Sequence, residues 1–268
     1  MDLHLTNKLA VVTGASKGIG LAVVRTLLDE GAVVAAVSRR PSPELTELTG
    51  TRLFHVAADL STVDGPARAI EEAVQHLGGL DIVINNAGGP PPGATLPRFS
   101  FEQLTDADWR SMIDFNLFGV VRAVRAALPH LLSRGGGAIV NVSSTHAHVP
   151  SAVNVDYGAA KAGVNNLTQA LSEEYGPRGI RVNTVSPGPV RTPWWTEPGG
   201  AAEVLAAATG TDRETVLNTS AAEMMQLTTG RLIDPQEIAD QIVLLASPRS
   251  GSTTGSDVIV DAGLVKTV

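Results

Sequence analysis

The sequence predicts an α/β fold, one parallel sheet with helices on both faces. Three observations carry this. Short apolar runs alternate with helix-length segments from residue 8 to residue 263, and such alternation implies crossover connections between parallel strands. The runs are near-continuous in Val, Ile and Ala, as strands buried on both faces require. A glycine-rich turn stands where the first run gives way to a helical segment.

Taken in order, "KLAVVTG" (8–14) reads as a buried strand ending in glycine, followed by a helical stretch over about 18–30. "AVVAAV" (32–37) is a second strand, "RLFHVAAD" (52–59) a third and "LDIVINNAG" (80–88) a fourth. Residues 106–132 carry a long helical pattern, "GAIVNVSS" (137–144) a fifth strand, "IRVNTVSPG" (180–188) a sixth, and "SDVIVDAG" (256–263) closes the series. No internal repeat or linker divides the chain, so a single domain over 1–268 is expected. One region, about 189–230 and opening "PVRTPWWTEPGG", interrupts the alternation and reads as a substrate-lid insertion.

Bulk properties narrow the function. With 43% hydrophobic and 18% charged residues, the composition is globular rather than disordered. A net charge of −7 argues against nucleic acid or an anionic membrane as partner. The absence of cysteine excludes disulfides, thiolate nucleophiles and Cys-based metal sites. No clustered ligand set suggests a metal. The opening residues lack a basic leader and no run is long and apolar enough to span a bilayer, so a soluble, cytoplasmic protein is expected.

"TGASKGIG" (13–20) lies between the first strand and first helix. Gly14, Gly18 and Gly20 let the backbone turn and approach a ligand, and the helix N-terminus offers free N–H groups to a phosphate. Dinucleotide binding is the expectation, with Ser16, Lys17 and Ile19 completing the loop. The second strand ends in Ser38, Arg39 and Arg40 instead of the carboxylate that grips an NAD ribose. Arginine there suits a 2′-phosphate, and Lys17 adds a second positive charge, so NADP(H) is expected, with NAD(H) as the alternative. Asp59, ending the third strand with Leu60 beside it, is placed to accept from an adenine amino group.

"VDYGAAKAGVNN" (155–166) holds one of only two tyrosines, Tyr157, one helical turn before Lys161. A free phenol has a pKa of about 10. A neighbouring ammonium, and an oxidised nicotinamide, favour the phenolate, which tunes the group for proton exchange with an alcohol oxygen. Ser144 ends the fifth strand, at the sheet edge where open α/β folds bind ligands, and can hydrogen-bond a carbonyl or alkoxide. Ser143 satisfies the same reasoning from the residues alone.

The segments "TGASKGIG", "NNAG", "NVSS", "YGAAK" and "SPGPVRT" resemble, in order and spacing, the short-chain dehydrogenase/reductase family over almost the whole chain. The resemblance implies a Rossmann-type doubly wound sheet of seven parallel strands in the order 3-2-1-4-5-6-7. It implies a catalytic tetrad at Asn116, Ser144, Tyr157 and Lys161, in which Asn116 kinks the long helix and supports a water chain to the lysine. It places Asn86, Ala87 and Gly88 along the cofactor, Lys161 on the nicotinamide ribose, and Pro187, Gly188, Val190 and Thr192 over the carboxamide. The implied activity interconverts a ketone and a secondary alcohol with Tyr157 as general acid/base. Reduction of a 3-oxoacyl thioester is the runner-up. A non-catalytic nucleotide-binding scaffold is a further alternative, and so is dehydration or epimerisation with tightly held nucleotide.

Substrate contacts are expected from Ser144, His146, Asn154, Trp194 and Trp195, with His148 nearby and the proline-rich loop 88–97 as a wall. Arg134 and Arg178 lie near helix ends, where carrier-dependent relatives dock acidic carrier proteins; here they read as solvated charges. A homotetramer is the family expectation, with the 106–132 and catalytic helices against partners.

Overall fold

A computed structural model describes residues 2–48, 50–94 and 97–266. Its centre is a seven-stranded sheet in the order β3-β2-β1-β4-β5-β6-β7. The strands are β1 (Leu9–Thr13), β2 (Val33–Ser38), β3 (Leu53–Ala57), β4 (Ile82–Asn85), β5 (Gly137–Val142), β6 (Ile180–Pro187) and β7 (Asp257–Val260). Every neighbouring pair is parallel. All strands but β2 are shorter than the apolar runs that mark them, because those runs continue into the turns at the sheet edge.

Alternate side chains of a strand face opposite sides, and the core divides accordingly. Ala10, Val12, Val34 and Ala36 pack on one side with α1 (Gly18–Asp29) and, at the chain's end, α11 (Pro235–Ala246). Val11, Ala35 and Val37 pack on the other with α3 (Gly65–Leu77), α5 (Gly119–Ser133) and α6 (Val155–Tyr175). A short α2 (Pro43–Glu47) adds Leu45 to the first side. This is the doubly wound arrangement that the sequence predicts.

The long helical pattern of 106–132 is interrupted. α4 (Asp106–Ile113) meets α5 through a π-turn over Asp114–Phe118, which places Asn116 fully inside the fold. The irregular region after β6 is helical: α7 (Pro193–Thr196), α8 (Ala201–Thr209), α9 (Arg213–Thr215), a second π-turn (Val216–Ser220) and α10 (Ala221–Met224). These pieces share their own apolar cluster around Trp195, Ala202, Val216, Leu217 and Ala222. The local pattern hid this because each helix is short, and α8 and α10 are rich in alanine. Among the described residues, no helix is long and apolar enough to cross a membrane.

Candidate active site

The order of strands reverses between β1 and β4, whose partners lie on opposite flanks. Such a point opens a crevice at the carboxyl ends of the strands. Gly14 follows β1, Asn86 follows β4, Ser143 follows β5 and Gly188 follows β6, so the segments picked out in the sequence converge on one rim.

The glycine loop is held from β4. Thr13 Oγ1 accepts from the backbone N–H of Asn86 and of Ala87, each at 3.0 Å, and Asn86 Nδ2 donates to Thr13 O at 2.9 Å. Gly14 and Gly18 both have positive φ. A Cβ on Gly20 would stand 2.6 Å from Asn86 Nδ2, so the packing excludes any side chain there. Lys17 at the α1 N-cap makes no side-chain cap bond and the first turn carries no acid. The N–H groups of that turn therefore suit a phosphate, and a dinucleotide fits the residues present. Ser16 and Ile19 are half-buried on the same turn.

At the adenosine end, Arg39 and Arg40 are exposed. Ser38 is buried; its hydroxyl donates to Arg40 O at 2.9 Å and lies 3.0 Å from His55 Nε2. Asp59 Oδ1 accepts from the Ser61 hydroxyl and backbone N–H. Those bonds, followed by the Arg39 charge, hold its carboxyl below the usual range. Leu60 and Ala87 line a small cavity with Thr13 and Asn85. Lys17 is paired to Glu197 of the insertion at 2.9 Å, an exposed contact across the mouth of the loop.

Tyr157 and Lys161 lie on the first two turns of α6. Lys161 is buried, and its Nζ donates to Val142 O at 2.8 Å and stands 5.7 Å from the Tyr157 ring centroid. Burial pushes the ammonium down to about 8. Burial also pushes the phenol up to about 12, and a hydrogen bond with the Ser144 hydroxyl pulls the other way. In the protein alone, desolvation outweighs the attraction to Lys161 that the sequence suggests. The two serines separate cleanly: Ser143 Oγ donates to Lys161 O at 3.1 Å, on the inner side of the helix, whereas Ser144 meets the phenol.

Asn116 reaches the same place from the π-turn. Its Oδ1 accepts from Gly89 N–H and its Nδ2 donates to Gly89 O, both at 2.9 Å. A Cβ on Gly88 would stand 2.9 Å from Lys161 Nζ and 3.1 Å from Asn116 Oδ1, so Gly88, Lys161 and Asn116 share one contact.

The sequence-stated substrate residues scatter. His146 lies at the phenol, ring against ring at 5.9 Å, and burial lowers its pKa. His148 turns away to Asp257 at 2.7 Å. Asn154 has a left-handed backbone (φ 57°), and its Oδ1 accepts from Arg98 N–H at 2.8 Å. Trp195 is buried in the insertion's own cluster, whereas Trp194 is partly exposed beside it. Val190 is buried and pairs as a single bridge with Ile233; Thr192 packs on Gly18, Pro187 ends β6 beside Val260 of β7, and the N–H of Gly188, just after it, donates to Val260 O at 2.9 Å. Of the wall 88–97, residues 95 and 96 lie outside the described residues. Arg134 is committed to Asp81 at 2.7 Å, and Arg178 stacks on Tyr175.

The family model described as short chain dehydrogenase matches residues 8–199. The chain belongs to the short-chain dehydrogenase family. Among members of that family, it is 37% identical to a cis-4-hydroxycyclohexanecarboxylate dehydrogenase of Sinomonas cyclohexanicum, over 98% of either chain. It is 31% identical to a 3-oxoacyl-[acyl-carrier-protein] reductase of Vibrio harveyi, over 98% of this chain and 99% of that one. Among solved short-chain dehydrogenase structures, the L-sorbose reductase of Gluconobacter frateurii, complexed with NADPH and L-sorbose, superposes with a TM-score of 0.90 at 32% identity over the full length of both. The protein is thus an oxidoreductase of the short-chain dehydrogenase type.

Several site groups escape a reading of the sequence. Val142 supplies a main-chain carbonyl, which has no residue signature. Gly89, Arg98 and Glu197 meet Asn116, Asn154 and Lys17 only through contacts made across the fold.

Proposed function

We propose that this short-chain dehydrogenase interconverts a ketone and a secondary alcohol with NADP(H), Tyr157 acting as the proton-transfer group. The observation that carries the reading is the meeting of Ser144, Tyr157, Lys161 and Asn116 at the rim that also holds the glycine loop. When bound, the nicotinamide supplies or takes the hydride. Ser144 polarises the substrate oxygen, and Tyr157, held protonated, gives its proton to the developing alkoxide. Lys161 anchors the nucleotide ribose and brings positive charge to the phenol. Asn116 holds Gly89 and thereby the wall beside Lys161.

NADP(H) is favoured by Arg39 and Arg40 at the end of β2, where no carboxylate stands, and by the likeness to the NADPH-complexed sorbose reductase. The relatives direct the substrate search to cyclic hydroxy acids, ketoses and 3-oxoacyl thioesters. The commitment of Arg134 to Asp81 counts against docking of an acidic carrier at that helix end. We place the exposed side chain of Phe118, on the long-helix face, in a contact between copies of a homotetramer.

The test is NADPH and NADH oxidation, side by side, against 4-oxocyclohexanecarboxylate, L-sorbose, further ketoses and acetoacetyl-coenzyme A. Reduction of one carbonyl class, faster with NADPH, supports the reading. Equal use of both nucleotides removes the NADP preference. Inertness of every carbonyl and of the matching alcohols, with nucleotide still bound, favours a scaffold role.

A further inference from the structure

The start of the catalytic helix is capped in an unusual way. The first N–H groups of a helix need partners, and an N-cap side chain normally supplies one. Here Asn154 occupies the N-cap but makes no cap bond. Its Oδ1 points outward to Arg98 N–H at 2.8 Å, and its own N–H donates to Arg98 O at 2.9 Å. The N–H of Tyr157 is taken instead by Asp156 Oδ1 at 2.9 Å. Asp156 is completely buried, and its other oxygen accepts from Arg98 Nη1. One residue therefore grips the first turn of α6 at three points. Arg98 itself is only 12% exposed, and its second ion partner, Asp108 of α4, stands at 3.7 Å.

The grip matters because of where Arg98 lies. The segment joining β4 to α4 is fixed at Gly89 by Asn116 and at Arg98 by Asn154 and Asp156. A buried carboxylate immediately before Tyr157 is costly unless paired. With Arg98 in place, its charge is balanced and both its oxygens are directed, one to the main chain of Tyr157 itself.

We infer that Arg98 is a positioning residue for proton transfer, acting through Asp156 and Asn154 to set the first turn of α6 and hence the Tyr157 phenol. This rests on Tyr157 being the proton-transfer group. It also gives Asn154 a role apart from substrate: the side chain belongs to the clamp.

The chain has only two tyrosines, which makes the inference directly readable. With tyrosine labelled at the ring carbon bearing oxygen, the NMR spectrum holds two lines, assigned by Tyr175→Phe. Tyr175 lies at the far end of α6, about 27 Å away along the helix axis, and serves as the internal control. In Arg98→Met the Tyr157 line is expected to shift or broaden while the Tyr175 line stays. Turnover of the carbonyl reduced fastest should fall about ten- to a hundredfold, since small misplacements of a reacting group cost that much. The NADPH dissociation constant should hold within about twofold, as none of the three grip points lies on the glycine loop. Arg98→Lys, which can still pair with Asp156, should recover most of the loss. Asp156→Asn, which keeps the shape, should reproduce the effect on the Tyr157 line if Arg98→Met fails to fold.

A Tyr157 line unmoved in Arg98→Met or Asp156→Asn overturns the inference. So does joint movement of both lines with loss of nucleotide affinity, which marks general loosening. Full turnover in Tyr157→Phe sinks the proposed function instead; a dead Tyr157→Phe beside an unaffected Arg98→Met sinks only this inference.

Discussion

Gly88→Ala puts one methyl group where the site has no room for it. Gly88 does not have a positive φ, so the backbone accepts alanine and only the methyl acts. That methyl would lie 2.9 Å from Lys161 Nζ, and ordinary contact begins near 3.4 Å, so Nζ must retreat by about 0.5 Å. Nζ is the far end of a flexible chain, which keeps the packing cost near about 1 kcal/mol. The same retreat strains the 2.8 Å bond to Val142 O, and the methyl itself, 3.1 Å from Asn116 Oδ1, presses on that group as well. Turnover should therefore fall about ten- to a hundredfold while stability changes little. Urea unfolding, NADPH titration and steady-state turnover, measured on the same preparation, separate the terms. Turnover within twofold of the parent would refute the idea that Lys161 is held to a fraction of an ångström. Loss only in proportion to an unfolded fraction would refute it too.

Other predictions follow from the same geometry. Tyr157→Phe should keep NADPH binding and lose turnover by about 10²–10⁴-fold, read by fluorescence titration and initial rates. Burial holds the Lys161 ammonium at about 8, below its unfolded value, so the unfolded chain binds more protons between about pH 8 and pH 10. Stability should rise with pH across that window, by up to about 1.4 kcal/mol per unit, and Lys161→Met should abolish the rise in urea melts. Above about pH 10 the trend should reverse, because the phenol, pushed up to about 12, keeps its proton longer when folded. Arg39→Ala should weaken NADPH binding about ten- to a hundredfold and leave NADH unchanged, and the difference should shrink in high salt.

The fold was legible because its signals are local. Continuous apolar runs mark strands buried on both faces, and the glycine loop marks where the first strand turns into α1. The four residues expected to form a tetrad were named from motifs in the sequence, and the structure gathers them at one rim, yet their hydrogen-bond partners were not legible. Nothing near Asp156 in the chain announces Arg98, 58 residues away. Asn154 and Trp195 look like substrate contacts by position, but one is turned into a clamp and the other into the insertion's core. The insertion's helices are too short for a periodic signal, and its packing draws on Leu232 just past it and on Ala262 and Leu264 beyond β7. The phenol's rise to about 12 depends on burial, which no spacing reveals.

The π-turn at Asp114–Phe118 makes chain length itself a variable. A π-turn holds one residue more than the α-helical ladder needs. Removing any one residue there would mend the helix, and everything before it would swing by about 100° relative to α5. Asn116 and Gly89 would part company although neither had been substituted. A family member shortened by one at this point could retain each motif and still lack the wall beside its lysine. Surveys of such sequences should therefore count residues between "NNAG" and α5 as carefully as they compare identities.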